Sequence, residues 1–165
     1  MGKAFLSLGS NQQPEANLRS AFEALRERFG AIAASVVYRF PAVGFNGSDF
    51  LNAGAVIDSD LDPVALNDWL HALEDAHGRD RSGPRFGNRT LDIDIVFYDD
   101  LVLEGSDHLQ LPRDELKHAF VLKPLAEIAP GFVDPRSGRT LGDLWAGSSG
   151  RDVPFVPVFD PNVVG

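Results

Sequence analysis

The chain contains no cysteine among its 165 residues. Disulfide frameworks, thiol nucleophiles and zinc–thiolate sites are therefore excluded. No hydrophobic run is long enough for a transmembrane helix, and the first residues, MGKAFLSLGSN, lack the apolar core of a signal peptide. Gly2 does not open a myristoylation motif, because Leu6 stands where serine or threonine is required. We therefore expect a cytoplasmic protein.

Basic residues are scarce: 15 Lys and Arg stand against 24 Asp and Glu, which gives a formal net charge of −9. Such a chain is poorly suited to nucleic acid or to an anionic membrane surface, because both are polyanions. With 44% hydrophobic residues, the composition is that of one globular domain with a substantial core. We expect a single domain over residues 1–165 that works as a monomer on small molecules.

Apolar periodicity and turn residues predict alternating strands and helices. The predicted elements are a strand at 3–8, a helix at 14–29, a strand over 32–43 broken near Pro41, a strand at 50–57, a helix at 63–77, a strand at 90–98, a short strand at 101–103 and a short helix within 120–129. This β-α-β-β-α-β order predicts an α+β, ferredoxin-like sandwich, with helices covering one face of a mostly antiparallel sheet. From about residue 147 the chain is rich in Gly, Pro and Val, so we expect an irregular tail.

The strand at 90–98 follows directly on a loop rich in arginine. Four of the 15 basic residues lie in this Gly/Pro/Ser loop: Arg79, Arg81, Arg85 and Arg89. Alternate strand residues face the same side, so Asp92 and Asp94 project together, which suits a divalent hard cation. Arginine suits phosphate oxygens, because its planar guanidinium donates two parallel hydrogen bonds. Together they predict a site for a metal-bound polyphosphate, with an ordinary solvated loop and strand face as the alternative.

Alternation also assigns the faces of this strand. It places Leu91, Ile93, Ile95 and Phe97 on one face, and Asp92, Asp94, Val96 and Tyr98 on the other. Aspartate is depleted from strands, so a pair at i and i+2 indicates a functional reason. The chain has no Walker-type lysine loop and no G-x-S-x-G nucleophile motif, and Gly9-Ser10-Asn11 indicates only a turn after the first strand.

Four blocks, in order along nearly the whole chain, resemble the 6-hydroxymethyl-7,8-dihydropterin pyrophosphokinase family of folate synthesis. The most specific is GNRTLDIDI, which is similar to the family signature G-P-R-T-L-D-L-D-I. The other blocks are FLSLGSN, the pair SVVYRFPAVG and DFLNAGAVI, and FVLKPLAEIAP. The resemblance implies an ATP-dependent enzyme that transfers pyrophosphate to the hydroxymethyl group of a dihydropterin.

The resemblance also implies roles for individual residues on the ATP side. Asp92 and Asp94 would bind two magnesium ions that bridge the ATP phosphates. Arg79 would act on the phosphates during transfer, and Arg81 and Arg89 would contact ATP. Catalysis is thus expected from Arg79, Arg89, Asp92 and Asp94. Further polar residues are expected near ATP: His71, Glu74, Arg113 and His118.

A second group of residues is expected to bind the pterin. Asn52 would hydrogen-bond its edge, while Phe50 and Phe120 would stack on its faces, which suits a flat heterocycle with a polar rim. Considered alone, the two phenylalanines are typical of a core, and the amide is typical of a structural hydrogen bond. The pocket would be completed by the segment holding Phe40, Pro41 and Val43.

The chain departs from the family pattern in two places. Phe86 and Asn88 stand where the family often has tryptophan and proline. In LPRDELKHAF, Arg113 follows Pro112 where the family usually has histidine, and His118 takes the place of an arginine, with one residue fewer between them. We hypothesise that Arg113 supplies the family cation and that His118 meets the phosphates from the other position.

Two other functions fit parts of the pattern. A non-catalytic ferredoxin-like module that binds a nucleotide or metal and regulates a partner would keep the phosphate clamp but would not need Asn52 or the aromatic pair. A metal-dependent phosphohydrolase would require a positioned water and more carboxylate or histidine ligands than the sequence offers.

Overall fold

The structure, a computed structural model, describes residues 1–41, 49–78, 90–104 and 109–162, which form a mixed α/β fold. Its strands are β1 (Gly2–Ser10), β2 (Ala33–Ala34), β3 (Val37–Phe40), β4 (Phe50–Ser59), β5 (Asp92–Tyr98), β6 (Leu103–Glu104), β7 (Gln110–Leu111) and β8 (Val156–Phe159). Its helices are α1 (Pro14–Phe29), α2 (Pro63–Ala76), α3 (Ala119–Ile128) and α4 (Leu141–Ala146), with 3-10 turns at Asp114–Lys117 and Ser149–Asp152.

One large sheet carries the fold, with the strand order β5-β1-β4-β3-β8 and β2 paired separately with β4. Each of these pairings is antiparallel. The long central pair runs from Gly2 opposite Ser59 to Ser10 opposite Leu51. The mostly antiparallel sheet predicted from the sequence is therefore confirmed, while β6 and β7 form a separate two-stranded ribbon.

Helices cover both faces of the large sheet. Leu6 and Leu8 of β1 point into a core with α1 and α2, whereas Phe5 points into a second core with α3 and α4. The expectation of helices on one face only is therefore wrong: β1 carries large apolar side chains on both sides, so both must be covered. We call the side covered by α3 and α4 the α3 face. Among the described residues, no helix is long and apolar enough to span a membrane.

The alternation predicted for residues 91–98 breaks within β5. The register on β1 shifts between Ile95 and Phe97, which leaves Val96 as an extra residue. After this bulge Phe97 packs on the α3 face and Tyr98 in the opposite core, the reverse of the predicted faces. Periodicity could not reveal this, because a bulge inserts a residue without changing the apolar pattern.

The tail contains regular structure that the sequence did not predict. β8 pairs antiparallel with β3 at the edge of the sheet, with Val156 opposite Arg39. Pro157 fits this position, because an edge strand can tolerate a missing N–H. Backbone pairing of this kind leaves no periodic signal in a Pro-rich segment, which explains the irregular tail expected from composition.

Gly54 of β4 lies directly beneath α3. A Cβ at this position would lie 2.9 Å from Leu125 Cδ2 and 3.3 Å from Pro124 Cβ. Leu125 is fully buried, so it has little room to move aside. We expect Gly54→Ala to lower the free energy of unfolding by about 1–3 kcal/mol through overpacking, as measured by urea denaturation.

The matched control is Gly131→Ala, because a Cβ there would have no neighbour within 4 Å. Its urea midpoint should stay close to that of the wild type. Equal midpoints for the Gly54 and Gly131 variants would contradict close packing of α3 on β4.

Candidate active site

One row of residues crosses the sheet on its α3 face. Asp92 of β5 is the Cα partner of Gly9 on β1, which in turn is the partner of Asn52 on β4. Neighbouring strands lie about 4.8 Å apart, so Asp92 and Asn52 are separated by roughly 10 Å. Gly9 puts no side chain between them. The row therefore brings a carboxylate and an amide to the two sides of a buried glycine.

Gly9 is a site residue that the sequence reasoning missed. A Cβ on Gly9 would lie 2.7 Å from Asn52 Nδ2, so the amide leans across the glycine. In the sequence, Gly9-Ser10-Asn11 indicates only a turn after the first strand. A signal was present, because glycine inside a strand often marks a place where another group approaches the backbone closely.

The Asn52 amide is buried, with 8% of its surface exposed. Its Oδ1 atom accepts no hydrogen bond from the part of the chain that the structure describes. Buried polar atoms are nearly always paired, because leaving one unpaired costs about 1–3 kcal/mol. Asn52 is therefore suited to accept a hydrogen bond from a donor on a bound ligand.

Asp92 and Asp94 lie half-buried on the α3 face, before the bulge in β5. Burial raises the pKa of the Asp94 carboxyl, and the neighbouring Asp92 carboxylate raises it further. The guanidinium of Arg113 opposes this rise, since its Nη2 lies 3.7 Å from Asp94 Oδ1. The pair is thus a concentration of negative charge that a cation would stabilise.

Glu74 of α2 is connected to the same strand. Its side chain is almost fully buried, and its Oε2 accepts a hydrogen bond of 2.8 Å from the backbone N–H of Ile93. Ile93 lies between the two aspartates on β5, the first strand in the sheet order. Glu74 therefore holds the backbone of the strand that carries the carboxylate pair. The sequence could not predict this contact, which joins residues far apart along the chain.

Two aromatic residues proposed for the pterin lie on the α3 face and are partly exposed. Phe50 begins β4, two residues before Asn52, and Phe120 lies in the first turn of α3. Phe40 is 3% exposed and its ring packs against other aromatic rings, so only its backbone is available to a ligand. Pro41 follows it and is exposed.

The two residues that look exchanged relative to the family lie at different parts of the site. Arg113 is beside the carboxylate pair, and its Nε lies 3.4 Å from Glu115 Oε2. The ring of His118 lies 4.9 Å from the ring of Phe120, centroid to centroid. Partial burial and the charge of Lys117 lower the pKa of His118, so it carries little positive charge at neutral pH.

The remaining candidates are His71 and residues that the structure does not describe. His71 is exposed on α2. Several sequence-predicted residues lie outside the described residues: Val43, Arg79, Arg81, Arg85, Phe86, Asn88 and Arg89.

The chain is similar to named proteins over most of its length. The family model for 7,8-dihydro-6-hydroxymethylpterin-pyrophosphokinase (HPPK) matches residues 5–130. A relative from Synechocystis sp. is 39% identical over 145 residues, which cover 86% of this chain and 73% of the relative. One from Methylorubrum extorquens is 41% identical over 138 residues, covering 81% and 86%. Both are named 2-amino-4-hydroxy-6-hydroxymethyldihydropteridine pyrophosphokinase.

Solved structures share the fold. A crystal structure of HPPK-DHPS in complex with substrates has a TM-score of 0.67 at 16% identity, covering 88% of this chain and 43% of that one. Plasmodium falciparum HPPK-DHPS gives a TM-score of 0.67 at 14% identity, covering 88% and 44%. The present chain spans less than half of those chains, and at such identity the likeness bears on the fold alone. The family model and the curated relatives show that this chain belongs to the 7,8-dihydro-6-hydroxymethylpterin-pyrophosphokinase family.

Proposed function

We propose that this protein transfers pyrophosphate from ATP to the hydroxymethyl group of 6-hydroxymethyl-7,8-dihydropterin, giving AMP and the pterin pyrophosphate. The observation that carries the proposal is the row Asp92–Gly9–Asn52, which sets a carboxylate on the same face of the sheet as an amide oxygen that accepts no hydrogen bond from the described residues. Family membership supports the same reaction. We also propose that β1, α1, β3, β4, α2 and β5 form a ferredoxin-like sandwich, which the strand order β5-β1-β4-β3 supports.

The pterin would bind at the Asn52 side of the row. The amide oxygen would accept a hydrogen bond from the ring edge, while Phe50 and Phe120 would contact the two faces of the ring. The hydroxymethyl group would extend from the Asn52 side of the row toward Asp92. Such positioning is the main contribution a protein makes to phosphoryl transfer, which requires little covalent chemistry.

The carboxylate pair fits magnesium. Among the described residues there is no group of three or more acidic or histidine side chains able to hold a metal. Asp92 and Asp94 would supply protein oxygens, which suits an ion that keeps several waters and binds substrate phosphates. When bound, magnesium would neutralise charge on the phosphates, and we expect two ions. Glu74 would keep the strand in place through Ile93.

The positive charges would lie around the phosphates. Arg113, beside Asp94, would balance charge near the metal side. Arg79 and Arg81, which lie outside the described residues, would act on the phosphates during transfer, and Arg89 would be a further contact to ATP.

The decisive test is incubation of the protein with ATP, magnesium and 6-hydroxymethyl-7,8-dihydropterin. We expect AMP to form only when the pterin is present, in amounts equal to the pterin pyrophosphate, as measured by chromatography. Release of inorganic phosphate without pterin dependence would indicate a phosphohydrolase. Nucleotide binding without turnover would indicate a regulatory module.

Without a cation, the carboxylate pair should reduce stability. Because the pKa of Asp94 is raised in the folded state, the native protein retains a proton that the unfolded chain has already lost. The free energy of unfolding therefore falls as the pH rises from the ordinary aspartate range through that raised pKa. In EDTA at neutral pH, Asp94→Asn should therefore melt higher, by about 2–4 °C per kcal/mol of relieved repulsion. Its turnover should fall on the order of 100-fold or more.

The control is Asp100→Asn, which removes the same charge from an exposed turn just beyond β5. Magnesium should raise the melting temperature of the wild type and of this control but not that of Asp94→Asn. A lower melting temperature for Asp94→Asn in EDTA would contradict the proposed repulsion.

Alanine substitutions of Arg113 and His118 should weaken the binding of different substrates. Arg113→Ala removes a permanent charge beside Asp94, so the binding free energy of a non-hydrolysable ATP analogue with magnesium should weaken by about 1.5–3 kcal/mol. His118→Ala should weaken pterin binding more than nucleotide binding, because its weakly charged ring packs on Phe120. Calorimetry measures both affinities.

Arg136→Ala provides the control for the loss of an arginine, since Arg136 pairs with Glu104 on the separate ribbon. Its affinities should match those of the wild type. Unchanged nucleotide binding in both Arg113→Ala and His118→Ala would rule out the exchanged-charge hypothesis.

A further inference from the structure

The family match ends at residue 130, but the structure continues with an aromatic segment that reaches the proposed pterin pocket. We call residues 145–159 the tail segment. Its central ring, Phe155, stacks on Phe40 with centroids 5.3 Å apart and an angle of 29° between the planes. The same ring meets Tyr38 edge-on at 5.5 Å and Trp145 at 6.1 Å. The tail segment therefore packs on β3 through two aromatic contacts, and the contact with Trp145 lies within the tail segment itself.

The contact with Phe40 bears on the pocket because of the strand register. Phe40 is the last residue of β3 and is the Cα partner of Phe50, the proposed stacking residue on β4. Tyr38, the next residue on that side, is the partner of Asn52. Directly opposed side chains in antiparallel strands have Cβ atoms about 5 Å apart, so displacement of one is felt by the other. Phe155 thus contacts Phe40 and Tyr38, the two residues that lie opposite the proposed pterin contacts on β4.

The tail segment also holds the other proposed wall of the pocket. A Cβ on Gly150 would lie 3.0 Å from the Cβ of Ala119, so the 3-10 turn packs closely against the start of α3. Trp145 and Val153 belong to the same small cluster as Ala119 and the adjacent Phe120. One segment therefore supports both the end of β3 and the turn of α3 that carries Phe120.

We propose that Phe155 is a positioning residue for the dihydropterin, an inference that rests on the proposed function. Through Phe40 and the Ala119 cluster it sets the separation between Phe50 and Phe120, and so the width of the slot that the flat ring enters. Aromatic packing suits this task, since a ring has few rotamers and transmits position through a large contact area. Affinity for the pterin, rather than for ATP, depends on this contact.

Phe159 provides a matched control within the same segment. It lies at the other end of β8, packs against the α1 and α2 core, and has the guanidinium of Arg19 4.0 Å from its ring centroid. Truncating Phe159 removes a ring from the tail without touching the cluster behind the pocket. Loss of stability is common to both truncations, but loss of pterin affinity is not.

The test compares Phe155→Ala, Phe155→Tyr and Phe159→Ala with the wild type in the AMP-forming assay, alongside calorimetric binding of the pterin in the presence of a non-hydrolysable ATP analogue. We expect Phe155→Ala to raise the KM and Kd for the pterin on the order of 10-fold, because a misplaced wall loses alignment with the ring. The KM for ATP and kcat should each change by less than about twofold, because the substitution leaves the reacting groups in place. Phe155→Tyr should restore the pterin KM.

Phe159→Ala should lower the melting temperature and leave the pterin KM unchanged. An unchanged pterin KM in Phe155→Ala, or an equal rise in both alanine variants, overturns the inference. If Phe155→Ala does not fold, Phe155→Leu takes its place, with the same outcomes. A wild-type protein that forms no AMP contradicts the proposed function itself, whereas an active wild type with an insensitive Phe155 contradicts only the role of the tail segment.

Discussion

The register of β1 against its two neighbours is the constraint on which the site depends. Backbone hydrogen bonds align Gly9 with Asp92 on one side and with Asn52 on the other. A slip of β1 by one residue would reverse its two faces, which would turn its leucines from the core of α1 and α2 toward the site and replace Gly9 between Asp92 and Asn52. The large apolar side chains on the opposite face make such a slip costly, so core packing itself keeps the polar row in place.

The bulge in β5 lies between the part of the strand that carries the two carboxylates and the part that packs in the core of the α3 face. Before Val96 the strand presents Asp92 and Asp94, both half-buried, to the α3 face. After the bulge Phe97 turns to the same face, where it packs beneath α4 with Phe5 and Phe132. The extra residue thus puts Phe97 next to Val96 on the α3 face and turns Tyr98 into the opposite core.

The electrostatics of the site run against stability. Burial raises the pKa of Asp94, the charges of Asp92, Glu74 and Glu115 raise it further, and Arg113 offsets only part of this rise. Strain of this kind is expected where a site is prepared for a cation and a charged substrate. The hydrogen bond from Ile93 to Glu74 holds the strand in place despite the repulsion.

Much of the architecture could be predicted from the sequence. The strand-helix order, the mostly antiparallel sheet and the strand carrying Asp92 and Asp94 follow from periodicity and turn residues, and the signature GNRTLDIDI indicated the family that the comparisons then showed. Three features were not predictable in this way: the face covered by α3, the bulge at Val96 and the strand within the tail. Each of them depends on which segments meet in space.

The properties of the site likewise divide into those that the sequence determines and those that the tertiary structure determines. The sequence by itself determined the chemistry, since residue types and local spacing decide that two carboxylates share a face and that a guanidinium can bind phosphate. Only the tertiary structure decided that Gly9 lies between Asp92 and Asn52, that Glu74 accepts a hydrogen bond from Ile93, and that Phe155 supports Phe40. These contacts join residues far apart in the chain, and they arise from sheet register and close packing, which local periodicity does not encode.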